Sequence, residues 1–206
     1  SVPSVNTPDF HFEKKDSIAF MYAGSIYLKR EESILLICNT LAVSGIDIDN
    51  IKLMIYAPEE QWSVLKYKFD LYPFVHYGGF LSAKQMADAI SSSDYLLFVE
   101  SFDPAVLQYS RLSMSTRIPE YMSSGKPIIA VGPREQGSIQ YLVENNAAFV
   151  ATSYEELTTM LPSIFDNSLS LEKTKNAEAL CKRNHLAKAQ KEKFLDLVTT
   201  AISGLS

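Results

Sequence analysis

Six short apolar runs, each followed by a stretch of helical character, limit the folds open to this chain more than any other feature of its sequence. Residues 18–23, 51–57, 74–77, 95–99, 127–131 and 148–151 are continuous hydrophobic runs rather than in-out alternations, the pattern of strands buried on both faces. Between the first two, Ile34, Leu35, Cys38, Leu41 and Ala42 recur at spacings of three and four, one apolar stripe of an amphipathic helix that Gly45 closes. Residues 58–69, 82–91 and 136–144 supply further crossovers. Strand and helix in strict alternation predict a parallel sheet with right-handed crossovers and helices on both sides, a doubly wound α/β domain.

The ends differ from this middle. Residues 1–16 carry Pro3 and Pro8 among polar side chains and read as a linker, leaving 17–206 as one domain. Two helices are expected after Ser153, at 154–165 and from 171 to about 202, separated by Asp166-Asn167-Ser168. The last has Leu180, Ala187, Phe194, Leu197, Val198 and Ala201 on a drifting apolar stripe. Lys173, Lys175, Lys182, Arg183, Lys188, Lys191 and Lys193 surround it, a solvated basic face; contact with a membrane surface or a partner domain is the alternative.

Composition excludes several classes of function. With 47% hydrophobic and 21% charged residues the chain can bury a real core, and its net charge of -5 gives it no general affinity for a nucleic-acid backbone. Cys38 and Cys181 are far apart and form no CxxC, so they read as packed thiols in a reducing compartment. No apolar run reaches the roughly 20 residues of a membrane helix, and the polar opening lacks the marks of a signal peptide; the expected location is cytoplasmic. His11, His76 and His185 are scattered, and no metal-ligand spacing is present, so no metal is expected.

In a doubly wound sheet, ligands bind outside the carboxyl ends of the strands. The first such loop runs from Tyr22 to Arg30. Its single Gly24 is not the GxGxxG dinucleotide fingerprint, which argues against a nicotinamide dehydrogenase. Gly24 admits close backbone approach, and Lys29 or Arg30 places positive charge near a phosphate, although the loop alone reads as a plain turn with solvated cations. Gly132 and Gly137 have P-loop spacing but lack the following Lys, which sets aside a Walker-type hydrolase and leaves only helix-start amides for an anionic or hydroxyl-rich ligand. The strongest segment is 113–130. Ser115 or Thr116 caps a short helix, Pro119 is tolerated in its first turn, Gly125 ends it, and Pro127 leads into a strand. Such a helix aims its free amides and positive dipole end at the crevice beside Arg117, an arrangement suited to a diphosphate. Glu120, one turn in, accepts two hydrogen bonds from a vicinal diol such as a ribose, or else serves the helix dipole or a surface ion pair.

Arg117-Ile118-Pro119-Glu120-Tyr121 through Gly125-Lys126-Pro127-Ile128-Ile129-Ala130 resembles the (K/R)xxEYxxxGKPhhA segment in the nucleotide-sugar-binding half of GT-B glycosyltransferases. Phe20-Met21-Tyr22-Ala23-Gly24-Ser25 is similar to the family's opening strand and glycine turn, Val75-His76-Tyr77-Gly78 to the strand whose end holds the base, and Ser93-Asp94-Tyr95-Leu96-Leu97 to a further strand entry. The resemblance spans roughly residues 18–151 in the expected order. It implies a Rossmann-like, three-layer α/β/α half-domain with C-terminal helices, the C-terminal donor domain of a retaining, group-one-like enzyme of polysaccharide or glycoconjugate biosynthesis.

Carried over by residue, the resemblance implies that Glu120 binds the donor ribose. Ser115, Thr116 and Arg117 receive the diphosphate, Gly24 and Ser25 face the same group with Arg30 as a nearby cation, and Tyr77 and Gly78 contact the base. The substrate is then a nucleoside-diphosphate sugar, with no cofactor or metal, and helix amides and basic side chains stabilise the departing diphosphate. The acceptor and any catalytic base are expected from an N-terminal domain outside this sequence, so no catalytic residue is assigned. Two departures stand out: Leu112 lies where many retaining members have a second glutamate, and Ser25 where they often have Arg. Glu100, Asp103 and the 113–116 stretch are the candidates to compensate. A nucleotide-sugar epimerase of the same fold and a non-catalytic nucleotide-binding or scaffold module are the alternatives.

Overall fold

A computed structural model describes residues 17–186 and 191 of the chain. All six expected strands form. β1 (Ile18–Ala23) and β4 (Tyr95–Val99) have the expected bounds, while β2 (Ile51–Tyr56), β3 (Val75–Gly79), β5 (Ile128–Val131) and β6 (Phe149–Ala151) shift by one or two residues at an end. They make one parallel sheet in the order β3-β2-β1-β4-β5-β6. The chain therefore starts in mid-sheet, winds outward through β2 and β3, returns to lay β4 beside β1, and winds outward the other way. This is the doubly wound order, with its switch point between β1 and β4.

The continuous apolar character of the strands has a direct cause. Phe20 and Tyr22 of β1 face one side of the sheet, together with Leu53, Ile55, Leu97 and Val99, whereas Met21 and Ala23 face the other with Leu96, Phe98, Ile128 and Ala130. Both faces are dry because helices cover both. α1 (Arg30–Ala42) and α7 (Tyr154–Ile164) lie on the first side. α3 (Ala83–Ser92), α5 (Arg117–Met122), α6 (Gly137–Glu144) and α8 (Asn167–Asn184) lie on the second. The helices that follow β1 and β4 leave toward opposite faces, and this opens a crevice between the two strand ends.

Local differences from the sequence expectation follow from packing. On α1 the buried stripe is Ile34, Ile37, Cys38 and Leu41; Leu35 is half-buried and Ala42 faces solvent, so the helix is rotated from the stripe expected. It ends at Ala42, and Gly45 (φ 79°) makes the next turn rather than the cap. The 58–69 crossover divides into α2 (Glu59–Leu65) and a 3-10 turn (Lys66–Lys68). α4 (Pro104–Ser110) is an additional helix, started by Asp103, whose carboxylate accepts from the Ala105 amide, and by Pro104 in its first turn. α8 begins four residues before the expected start because Asp166 caps it, accepting from the amides of Ser168 and Leu169. The linker 1–16 and the end of the last helix, including Ala187, Phe194, Leu197, Val198 and Ala201, lie outside the described residues.

Three side chains give direct tests of the core. Tyr95 is buried in β4, stacks on Phe20 and donates to the carbonyl of Ile164 at 2.9 Å, tying the sheet to the end of α7. That carbonyl also accepts from Ser170, so Tyr95→Phe removes one bond without stranding its partner. The expected loss is about 1 kcal/mol in urea unfolding. Cys38 and Cys181 are both buried, and burial pushes the Cys38 thiol up to about 12 and raises that of Cys181. Neither is expected to react with a thiol reagent at mildly alkaline pH until the chain is unfolded; fast labelling of the native protein would contradict this packing.

Candidate functional site

A cavity of about 250 Å³ opens at the switch point. Its walls bring together Gly24, Ser25, Arg30, Ser115, Thr116 and Arg117 from three separate parts of the chain. A second cavity of about 200 Å³ adjoins it, sharing Gly24, Ser25 and Arg117 and adding Tyr56, Phe80 and Leu81 as largely apolar walls.

The loop after β1 is braced from several directions. The Gly24 amide donates to the Tyr56 carbonyl, and Tyr22, buried beneath it, donates its hydroxyl to the carbonyl of Ser25 at 2.6 Å. Gln61 of α2 accepts from the Ile26 amide (2.8 Å) and the Ser25 hydroxyl (3.0 Å). Leu28 and Lys29 then take left-handed dihedrals, with φ of 59° and 63°, at a cost of roughly 1–2 kcal/mol each. This paired reversal sets Arg30 as the first residue of α1, at the cavity wall.

Arg30 does not stand free. Its Nε and Nη2 donate to one carboxylate oxygen of Glu100 at 3.1 and 2.9 Å. Glu100 follows β4 directly and is only 4% exposed. Burial raises its carboxyl above the usual range, and the Arg30 guanidinium opposes that rise. Arg117, the second cation of the cavity, is paired with Glu120 at 2.5 Å, both side chains about one-third exposed. Glu120 lies outside the wall of either cavity, held beside them by Arg117. An exposed pair of this kind contributes little to stability and is readily exchanged for other partners.

The start of α5 differs from expectation. Thr116 occupies the cap position in a helical conformation and makes no side-chain cap; Ser115 supplies it, accepting from the Arg117 amide at 3.2 Å. The Ile118 amide donates to the Ser115 carbonyl. These two amides are thus engaged within the chain, and positive charge at this wall comes from the Arg117 side chain. Tyr121, one turn on, is buried against the cavity, and its hydroxyl makes no hydrogen bond among the described residues.

Tyr77 and Gly78 line neither cavity. The Tyr77 ring lies parallel to Trp62 at 4.8 Å and its hydroxyl donates to the Ala57 carbonyl. Gly78 matters through its missing side chain: a Cβ there falls 2.1 Å from the Tyr56 ring. The glycine makes room for Tyr56, and Tyr56 walls the second cavity. The glycines after β5 have a similar explanation. A Cβ at Gly132 falls 2.9 Å from that of Glu100, and the Gly137 amide donates to the Arg111 carbonyl at 2.7 Å. Gln136 caps α6 itself, accepting from the Ile139 amide. The helix start expected there as a ligand site is closed by the protein's own groups. Leu112 is 90% exposed. Among the described residues no three His, Cys, Asp or Glu side chains gather as metal ligands do, and no helix is long and apolar enough to cross a membrane.

Sequence reasoning missed Tyr56, Phe80, Leu81 and Tyr121. Gly78 was the signal for Tyr56, but the ring it accommodates belongs to a neighbouring strand.

No protein-family model matches the chain, and no curated protein matches it in sequence. Solved structures do. HepE from Anabaena, in complex with UDP-glucose, superposes with a TM-score of 0.66 at 15% identity, over 90% of this chain and 49% of that one. WaaG, a glycosyltransferase involved in lipopolysaccharide biosynthesis, gives 0.59 at 15% identity over 87% and 46%. The trehalose 6-phosphate synthase of Burkholderia multivorans gives 0.69 at 11% identity over 92% and 44%. The fold is that of one half of a GT-B glycosyltransferase. The chain spans about half the length of these proteins. The two cavities occupy the crevice where a doubly wound sheet takes its ligand.

The role of Gly78 is testable by Gly78→Ala, which drives the Tyr56 ring from its place. An expected loss of about 1–3 kcal/mol in urea unfolding distinguishes this close approach from a tolerant edge-strand position, where the change is neutral.

Proposed function

We propose that this chain is the donor-binding half of a glycosyltransferase, taking a nucleoside-diphosphate sugar whose sugar passes to an acceptor held by a second, N-terminal domain. The observation that carries this reading is the meeting of Arg30 and Arg117, from different elements, in one cavity at the switch point, beside a second cavity with aromatic and aliphatic walls. A diphosphate matches the first chemically, and a flat, largely apolar base matches the second, between Tyr56 and Phe80. Together they fall in the range of roughly 300–1,000 Å³ usual for small-molecule sites. The fold neighbour HepE, with its UDP-glucose, supports the same assignment.

In this reading Arg117 turns from Glu120 to the diphosphate, and the freed carboxylate accepts the ribose hydroxyls. As the glycosidic bond breaks, negative charge grows on the departing diphosphate, and Arg30 and Arg117 stabilise it. The sequence offers Leu112 where a further carboxylate would grip the sugar, so this half holds its ligand chiefly by the nucleotide. The acceptor and its deprotonation belong to the partner domain, as the half-length match to the solved structures favours.

Calorimetry with uridine, guanosine and adenosine diphosphates tests the proposal, one of them binding clearly more tightly than the others. A folded protein that binds none of the three would sink it. Glu120→Ala is expected to weaken binding by about 1–3 kcal/mol through the lost ribose bonds. Arg117→Ala should weaken binding of the diphosphate but leave that of the bare nucleoside almost unchanged.

A further inference from the structure

Glu100 has been given no role so far, yet it puts a charge in the floor of the first cavity, where it is almost fully buried. Stability does not account for it, because taking both ions of a buried pair out of water offsets most of their attraction, and apolar replacements are often as stable. The carboxylate is nevertheless fixed from several sides. The Glu100 amide donates to the Val131 carbonyl at 2.8 Å, and its own carbonyl accepts from the Ser33 hydroxyl at 2.6 Å. Its side chain occupies space that Gly132 leaves open. Around it stand Arg30 from α1, Tyr22 from β1, the α6 cap Gln136 and, across the cavity, Arg117 and Tyr121 from α5. Both bonds it receives from Arg30 use Nε and Nη2; among the described residues Nη1 has no hydrogen bond.

We propose that Glu100 is a positioning residue of the phosphate subsite, gripping the Nε and Nη2 groups of Arg30 so that Nη1 is held ready for a phosphate oxygen of the bound nucleotide. The inference rests on the donor-binding reading above and adds to it the group that aims the cation. Arginine has a long side chain with much rotational freedom, and fixing it before the ligand arrives removes part of that loss from the binding step.

A carboxylate beside an anion site has two opposed effects, which makes the proposal testable by sign. If Glu100 acts by aiming Arg30, protonating it releases the guanidinium and weakens binding as pH falls. If it acts chiefly by repelling the anion, protonation tightens binding. Burial has already raised its carboxyl, and an incoming diphosphate raises it further, so the titration occurs above the ordinary carboxylate range.

The experiment compares the wild-type chain with Glu100→Gln by calorimetry, using the best-binding nucleoside diphosphate and inorganic pyrophosphate as a base-free probe, across a pH series. Each affinity is expressed as the ratio of the two proteins, which removes titration of the ligand itself. Glu100→Gln is expected to weaken binding about three- to tenfold at neutral pH. The gap should close as pH falls, and an Arg30→Lys background should abolish it. Thermal melts establish that each variant is folded; should Glu100→Gln fail, Glu100→Asp, which draws the charge back from Arg30, takes its place with the same expected weakening. Equal or tighter binding by the variant at every pH, or a gap that widens on acidification, overturns the proposal. If the wild type binds no nucleotide, the donor-binding reading fails and takes this one with it; if it binds and the variant matches it, this one alone fails.

Discussion

The pairing of β1 with two neighbours at once governs this molecule. β1 pairs with β2 along its whole length and with β4 through Phe20, Met21 and Tyr22, so it must be buried on both faces and closed on both edges. The hydrophobic effect, at roughly 25 cal/mol per Å² of apolar surface removed from water, satisfies the faces only if both are covered by helices. Sending the connections to β2 and to the helices after β4 in opposite directions supplies that cover. It also leaves the ends of β1 and β4 without a helix between them. The crevice is thus a by-product of how the central strand is buried.

Charge in that crevice is arranged economically. Both arginines are already paired, one with a buried carboxylate and one with an exposed carboxylate. The difference in exposure separates their roles. The Arg117–Glu120 pair is bathed by solvent and can be traded at small cost, whereas the Arg30–Glu100 pair cannot be parted without stranding a charge in a dry site. One cation is thus held by an exposed partner and the other by a buried one.

Much of this was legible in the sequence, for identifiable reasons. Strand positions were readable because burial on both faces removes polar residues from the runs, and residues 18–23 and 95–99 were placed to the residue. The helix start at Arg117 was readable from Ser115, Pro119 and Gly125, whose backbone preferences act locally. What was not readable depends on neighbours distant in the chain. The Ile37 side of α1 faces the sheet because of where α7 packs; the cap of α5 comes from Ser115 because Ser115 in turn donates its amide to Ser138 of α6. Tyr56 reaches the second cavity because Gly78, on an adjacent strand, yields the space. A short motif reports the conformation of its own backbone, and a wall built by three strands has no motif.

Gly132 extends this point. A methyl group at that position meets the Glu100 side chain, 32 positions away and on a separate strand end. The contact is with the Glu100 Cβ and not its carboxylate, so it persists for any side chain but glycine at position 100, and Ile139 closes the same space from the other side at 3.2 Å.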